Sequence, residues 1–315
     1  MAFYEEHYEC IKNIELPLDA SDKIYLGSRE HRCCRYCGET AKRAFRKTAH
    51  TIPEALGNKS LISLDECDAC NTKFGELDDH FAKFLGLYRT VHQIHGKERV
   101  PVYRAPGRRP TLRRVGPNQF AGEANVEDNF IEIDERNRRG KIKGYKQPYS
   151  KRSVFKCLTK MALAILPENE LENFKATLAW IRQDKPGSEN PPRRFYCYRS
   201  SMGMMRNGID LVLLRRRDPE ARLPYVSFSL CFSTLTFQIF LPFCKKDLHL
   251  VGEPVHIQYF PSSAEGRTTV NYGLLDLSSP EMVRDEVDYV EFEIGEPGVI
   301  VERQDAVSCA PRIKE

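Results

Sequence analysis

The chain has 315 residues, of which 41% are apolar and 29% charged. That is enough apolar material for one large or two modest packed domains, and it excludes a disordered or collagen-like polymer. The formal charge of +4 is unevenly spread, because residues 101–160 carry fifteen Lys and Arg against six Asp and Glu, between two near-neutral ends. A basic middle of this kind is expected of a strip that contacts a polyanion.

The start, Met1-Ala2-Phe3-Tyr4-Glu5-Glu6, has neither a basic leader nor an apolar run, so no export signal is expected and the chain reads as cytoplasmic. Residues 1–30 read as an irregular lead-in with strand character at Lys23–Leu26. A helix is expected from near Cys70 to about Gln93, since Phe74, Leu77, Phe81, Phe84, Leu85 and Tyr88 recur at helical spacing. Residues 101–119 hold four prolines, two glycines and five arginines and read as a linker or edge segment. A strand at Phe130–Ile133 and a second basic turn over 136–143 follow.

Ser153 is placed to cap a helix carrying Phe155, Leu158, Ala162 and Ile165, stopped by Pro167, with a second helix from Glu168. Beyond Phe195 strands dominate, at 209–214, 225–232, 235–240, 256–260 and 287–294. Leu223–Cys244 contains no charged residue over 22 positions, long enough to span a bilayer. Its apolar residues alternate with serines and threonines, however, which is strand patterning, so no membrane span is expected.

Five of the eleven cysteines lie between positions 33 and 70. Cys34 and Cys37 form one C-x2-C pair, and Cys67 and Cys70 another. Two such pairs supply four thiolates to one tetrahedral Zn²⁺, each pair folding as a tight knuckle. Gly38, just after the second thiolate, permits the positive φ that the turn needs. Cys33 reads as a spare thiol, and the scattered cysteines as buried apolar groups.

Between the pairs stands His50-Thr-Ile-Pro-Glu-Ala-Leu-Gly-Asn58, and Asn71 directly follows Cys70. In this order the residues resemble the HNH endonuclease superfamily, in its branch with a four-cysteine zinc site and a His-x-Ile-Pro-Glu-x-Leu-Gly-Asn core. The resemblance covers about residues 31–95. It implies a zinc-stabilised ββα-metal domain in which the zinc is structural. It also implies that His50 is the general base activating water against a DNA phosphodiester, a task suited to an imidazole that titrates near neutrality. Asn71 matches the asparagine that binds the catalytic cation, Mg²⁺ or Mn²⁺, in junction-resolving phage nucleases of the superfamily.

One position departs from the pattern. An acidic residue commonly precedes the base histidine, and here that residue is Ala49. The second ligand of the catalytic cation must then come from elsewhere. On a helix, Asp78 falls about 20° from the Asn71 face two turns on and is the candidate. Asp79, about 80° away, is the weaker choice, and Glu54, in the loop after His50, is a third option. His31, His80, His92 and His95 receive no role, and His92 and His95 are expected at the surface. Arg108, Arg109, Arg113, Arg114, Arg138, Arg139, Lys141 and Lys143 form the expected strip against DNA, or RNA, with Lys42, Arg43, Arg46 and Lys47 nearer the chemistry.

The expected class is α+β. It comprises an HNH domain with its lead-in at 1–98, a basic connector at 99–150, and a strand-rich α+β recognition or regulatory domain at 151–315. Restriction and anti-phage effectors have such architectures. The rival reading is a zinc-stabilised nucleic-acid-binding module without catalysis, which Ala49 favours. A third is a protein-interaction platform.

Overall fold

The computed structural model describes residues 2–18, 22–107, 110–117, 119–125, 129–183, 194–202, 205–253, 255, 258–260, 270–293, 299–303 and 306–310. In chain order its elements begin with α1 (Ala2–His7), β1 (Tyr8–Pro17), β2 (Ile24–Leu26), β3 (Ala49–His50), β4 (Leu61–Ser63), α2 (Asp68–Leu85) and α3 (Leu87–Val91). Next come β5 (Tyr103–Arg104), β6 (Thr111–Gly116), β7 (Gln119–Glu123), β8 (Ile131–Asp134), β9 (Arg139–Tyr145), β10 (Tyr149–Ser150), α4 (Lys151–Ile165) and α5 (Lys175–Ile181). Then follow β11 (Tyr196–Met202), β12 (Gly208–Arg216), β13 (Val226–Phe232), β14 (Leu235–Phe240), β15 (Val270–Asp276), β16 (Met282–Val283), β17 (Val287–Glu293), β18 (Val299–Arg303) and β19 (Ala306–Ala310). The mixture is α+β, as the pattern of periodicities predicts.

These elements sort into two compact units, each discontinuous in sequence. The first takes Met1–Pro53, Asn58–Asp78 and Lys151–Glu281, and the second takes Glu54–Gly57, Asp79–Ser150 and Met282–Glu315. This division cuts across the linear one at 98 and 150.

The first unit is built on a six-stranded sheet in the order β1-β12-β13-β14-β11-β15, with every neighbour antiparallel. Leu223–Cys244 supplies the β13–β14 hairpin at its centre, and among the described residues no helix is long and apolar enough to cross a membrane. Phe228, Leu230, Phe232, Phe237 and Ile239 are buried on these strands. β1 is the main departure from expectation. Instead of an irregular lead-in, residues 8–17 form an edge strand paired with β12, from Tyr8 opposite Arg216 to Pro17 opposite Gly208.

α4 begins at Lys151, so Ser153 lies in its first turn instead of capping it. The helix ends before Pro167 as expected, and every residue from Val154 to Ile165 is buried. The unit also holds a small three-stranded sheet, in which β3 pairs antiparallel and β2 parallel to β4. The strand character at 23–26 belongs there.

The second unit contains a five-stranded sheet (β18-β19-β7-β6-β5), a three-stranded one (β17-β9-β8) and the pair β10–β16. Its core gathers Leu87, Tyr103, Ala105, Leu112, Phe130, Ile142 and Val290. Of the two expectations for the proline-rich stretch 101–119, the edge segment holds and the linker does not. The stretch inserts Tyr103, Ala105 and Leu112 into this core and forms β5, at the edge of its sheet, β6 and part of β7. α2 stops at Leu85 because Gly86 takes a φ of +49°, and α3 restarts the helix one residue later. Of the strand expected at 256–260, residues 258–260 lie outside any strand, and 256 and 257 fall outside the described residues.

His92 is not a surface decoration. Its ring stacks on Tyr88 with centroids 3.9 Å apart, and burial holds its pKa down to about 4. The unfolded chain binds the proton at the ordinary histidine value, so this site contributes stability near neutrality that is lost as pH falls from 6.5 towards 4. His92→Phe should make the melting temperature fall less steeply than that of wild type across this window, as measured by thermal unfolding at a series of pH values.

Candidate active site

Two knuckles and a helix start build the site. After Cys37 the chain turns through Gly38, whose φ is +77° and whose N–H donates to the Cys34 carbonyl at 2.7 Å. The backbone N–H of Cys67 donates to the Cys34 sulfur at 3.4 Å, which joins the second knuckle to the first. The sulfurs of Cys34, Cys37, Cys67 and Cys70 all lie within 4.8 Å of one another, with Cys37 and Cys67 at 3.6 Å. Four sulfurs around zinc at about 2.3 Å stand roughly 3.8 Å apart, so the donor set fits that ion. Cys33 is exposed and outside the cluster, which fixes the pairing register at Cys34.

The last knuckle runs straight into α2, and the first turn of the helix holds the approach to the histidine. The Asp68 carboxylate accepts from the backbone N–H of Arg46 at 3.0 Å and of Lys47 at 2.8 Å. The Asn71 carboxamide donates to the Thr48 carbonyl at 3.3 Å. These contacts lead directly into β3, where Ala49 is buried and His50 half-buried. Registry with β4 places Ala49 opposite Ser63 and His50 opposite Ile62. The result is a two-stranded hairpin followed by a helix, with the four sulfurs at the junction.

Beyond the histidine, Asn58 closes the loop between the strands. It is 2% exposed, donates to the carbonyls of Ile52 (2.9 Å) and Leu61 (3.1 Å), and accepts from the N–H groups of Ser60 and Leu61. Its position in the motif was visible in the sequence, but this bracing role was not.

Asp78 is partly buried on α2, and its Oδ1 accepts from the Cys157 thiol of α4 at 3.5 Å. Burial pushes its carboxyl up, against the pull of the Lys160 ammonium, the Cys157 thiol and His50, so Asp78 lies within electrostatic reach of the histidine. Asp79 is instead exposed and pairs with Lys83 at 2.7 Å, while Glu54 opens a single 3₁₀ turn, Glu54–Leu56. His31 is exposed, and His80 accepts from the backbone N–H of Ser150 at 3.2 Å. Among the described residues, the cysteines are the sole group of three or more His, Cys, Asp or Glu spaced to hold an ion.

Residues 34–85 match the family model described as HNH endonuclease. This stretch is an HNH domain. No curated protein and no solved structure matches the chain. The match ends at residue 85, so it leaves out both α4 and the basic strip.

Of that strip, Arg108 and Arg109 lie outside the described residues. Arg113 is exposed on β6, and the neighbouring Arg114 is half-buried and donates to the Gln93 side chain at 2.5 Å. Arg138 ends the turn before β9, with a φ of +52°. Arg139, Lys141 and Lys143 then alternate along β9 with buried Gly140, Ile142 and Gly144. Acids stand opposite two of these bases, with Asp134 across from Arg139, and Glu132 and Glu291 on either side of Lys141. Lys42, Arg43, Arg46 and Lys47 are all exposed between the first knuckle and β3 within the HNH domain.

Metal analysis should find that Cys33→Ser retains one zinc per chain and Cys34→Ser loses it. Asn58→Ala strands buried backbone groups and should destabilise the HNH domain by about 2–3 kcal/mol, read from denaturant unfolding.

Proposed function

We propose that the protein is a metal-dependent endonuclease that hydrolyses DNA phosphodiester bonds, with His50 as general base. The observation that carries this reading is the meeting of β3 and α2. The carboxamide of Asn71, in the first turn of the helix, is bonded two residues upstream of His50 in a domain that matches the HNH endonucleases.

In this reading His50 takes a proton from a water whose oxygen attacks phosphorus. The bond to the 3′ oxygen breaks, leaving a 5′-phosphate and a 3′-hydroxyl once that oxygen is protonated from solvent. An imidazole serves because it exchanges protons near neutral pH. Asn71 is the side chain that would hold Mg²⁺ or Mn²⁺, which would neutralise charge on the phosphate and the leaving oxygen. Asp78, two turns and about 10 Å further along α2, is out of reach of the same ion. A hydrated cation held at Asn71 would take its remaining ligands from water and phosphate. The cysteine-held zinc is structural, since four thiolates leave no open position.

Lys42, Arg43, Arg46 and Lys47 would meet the phosphates next to the scissile one, and Arg113 with the β9 bases would be a separate set of phosphate contacts on the second unit. The acids facing Arg139 and Lys141 weaken that part of the strip. The strand-rich remainder would select the target or control cutting, as in restriction and anti-phage effectors, in a cytoplasmic protein.

A non-catalytic binding module is the second reading, favoured by Ala49, which is 1% exposed where the superfamily commonly has a metal-binding acid. Supercoiled plasmid incubated with Mg²⁺ or Mn²⁺ separates the two. The nuclease reading expects nicking by wild type and a loss of about 10²–10⁴-fold in His50→Ala at unchanged zinc content. Salt-sensitive binding without nicking in either ion would support the second.

A further inference from the structure

His50 is held by a residue far beyond the family match. Lys160 lies on α4, 110 positions downstream, and its side chain is 1% exposed. The ammonium donates to the His50 carbonyl at 2.9 Å and to the Thr51 carbonyl at 3.5 Å. The carboxylate of Glu66, 0% exposed, stands 3.3 Å away. The ammonium's hydrogen bonds therefore go to the backbone on either side of the histidine's peptide link, while Glu66 offsets its charge as an ion-pair partner.

The same helix touches the HNH domain at several other points. Cys157, one turn before Lys160, donates to Asp78. The Tyr36 hydroxyl, inside the first knuckle, donates to the Lys160 carbonyl at 3.2 Å. Arg35 of that knuckle donates to the carbonyls of Leu163 and Leu166 at 2.6 and 3.2 Å, which satisfies groups that the end of α4 would otherwise leave open.

Stability alone does not account for the lysine. Removing an ammonium and a carboxylate from water costs several kcal/mol per ion, and an apolar pair of similar volume is often as stable or more so. An apolar side chain cannot, however, anchor a carbonyl. β3 is two residues long, so its own ladder gives the histidine little support. Catalytic groups tolerate errors of only about 0.5 Å.

We infer that Lys160 is a positioning residue for the HNH reaction: from α4 its ammonium fixes the His50–Thr51 backbone, and so sets where the imidazole stands against the scissile phosphate. The inference rests on the nuclease reading above for its catalytic consequence, while the placement of the ring can be read without it.

The test compares the full-length, zinc-loaded wild type with Lys160→Met and with the double variant Lys160→Met/Glu66→Leu. Lys160→Met strands the Glu66 carboxylate and should lower the melting temperature. The double variant removes both charges and should recover that temperature with one zinc per chain. Its kcat for plasmid nicking should nevertheless stay at least about tenfold down, with KM for DNA within about twofold, since only the transition-state geometry is lost. Its His50 imidazole carbon–proton NMR resonance should be displaced from that of the wild type.

A purely structural lysine predicts the opposite, with activity returning along with stability. A double variant with wild-type kcat, or with an unmoved His50 resonance, overturns the inference. If the wild type itself fails to nick DNA, the nuclease reading falls. The NMR comparison then decides the placement claim alone: a displaced resonance upholds it, and an unmoved one ends it.

Discussion

The convergence of four sulfurs is the constraint on which the rest of the site depends. Segments 34–37 and 67–70 must approach until their sulfurs fit one tetrahedral centre, and everything between them is thereby confined to a loop anchored at both ends. The strands inside that loop, β3 and β4, are two and three residues long, far too short to persist in water by themselves. A segment of about fifty residues also buries too little apolar surface to fold on it alone, which is where metal clamps are commonly found. With the clamp closed, the start of α2 stands beside the chain leading to the histidine, and Asp68 and Asn71 need only reach 46–48 to fix it.

The clamp does not complete the domain. Asn58 braces the loop from inside, and α4 closes it from a distance, through Tyr36 and Arg35 on one side and Lys160 and Cys157 on the other. Residues 34–53 and 58–78 of the HNH segment therefore belong to the body of the first unit. Arg35 also pairs with Asp65 at 2.6 Å, with both side chains under a tenth exposed, so one guanidinium links the knuckle, the end of β4 and the end of α4. Each of these links replaces water at a buried polar group, and for that reason each tolerates little displacement.

The legible parts of the chain were those governed by local rules. Cysteine spacing fixed the metal cluster, period-two alternation at 223–244 separated strands from a membrane span, and helical spacing placed α2. What escaped depends on partners distant in sequence. β1 alternates weakly, with Glu9, Lys12 and Glu15 among its apolar residues, because an edge strand has one neighbour and part of its surface in water. The prolines of 101–119 left a linker and an edge segment equally open; β5 does lie at the edge of its sheet, and Pro110 sits just outside β6, where a missing N–H is harmless. Lys156 and Lys160, four residues apart, look like a solvated helix face; only the fold reveals that both are buried. The basic run at 138–143 hid the acids that β8 and β17 bring alongside it.

The pairing of β1 with β12 also imposes an order of events on biosynthesis. β1 leaves the ribosome about two hundred residues before its partner, an interval of roughly 10–40 s at 5–20 residues per second. Throughout that interval the nascent strand has no native neighbour, and its charged positions and terminal Pro17 are what discourage it from pairing with another chain. The histidine-bearing hairpin emerges in the same window, ahead of the helix that braces it. A newly made chain therefore cannot brace the His50 hairpin until α4, midway along the sequence, has been translated.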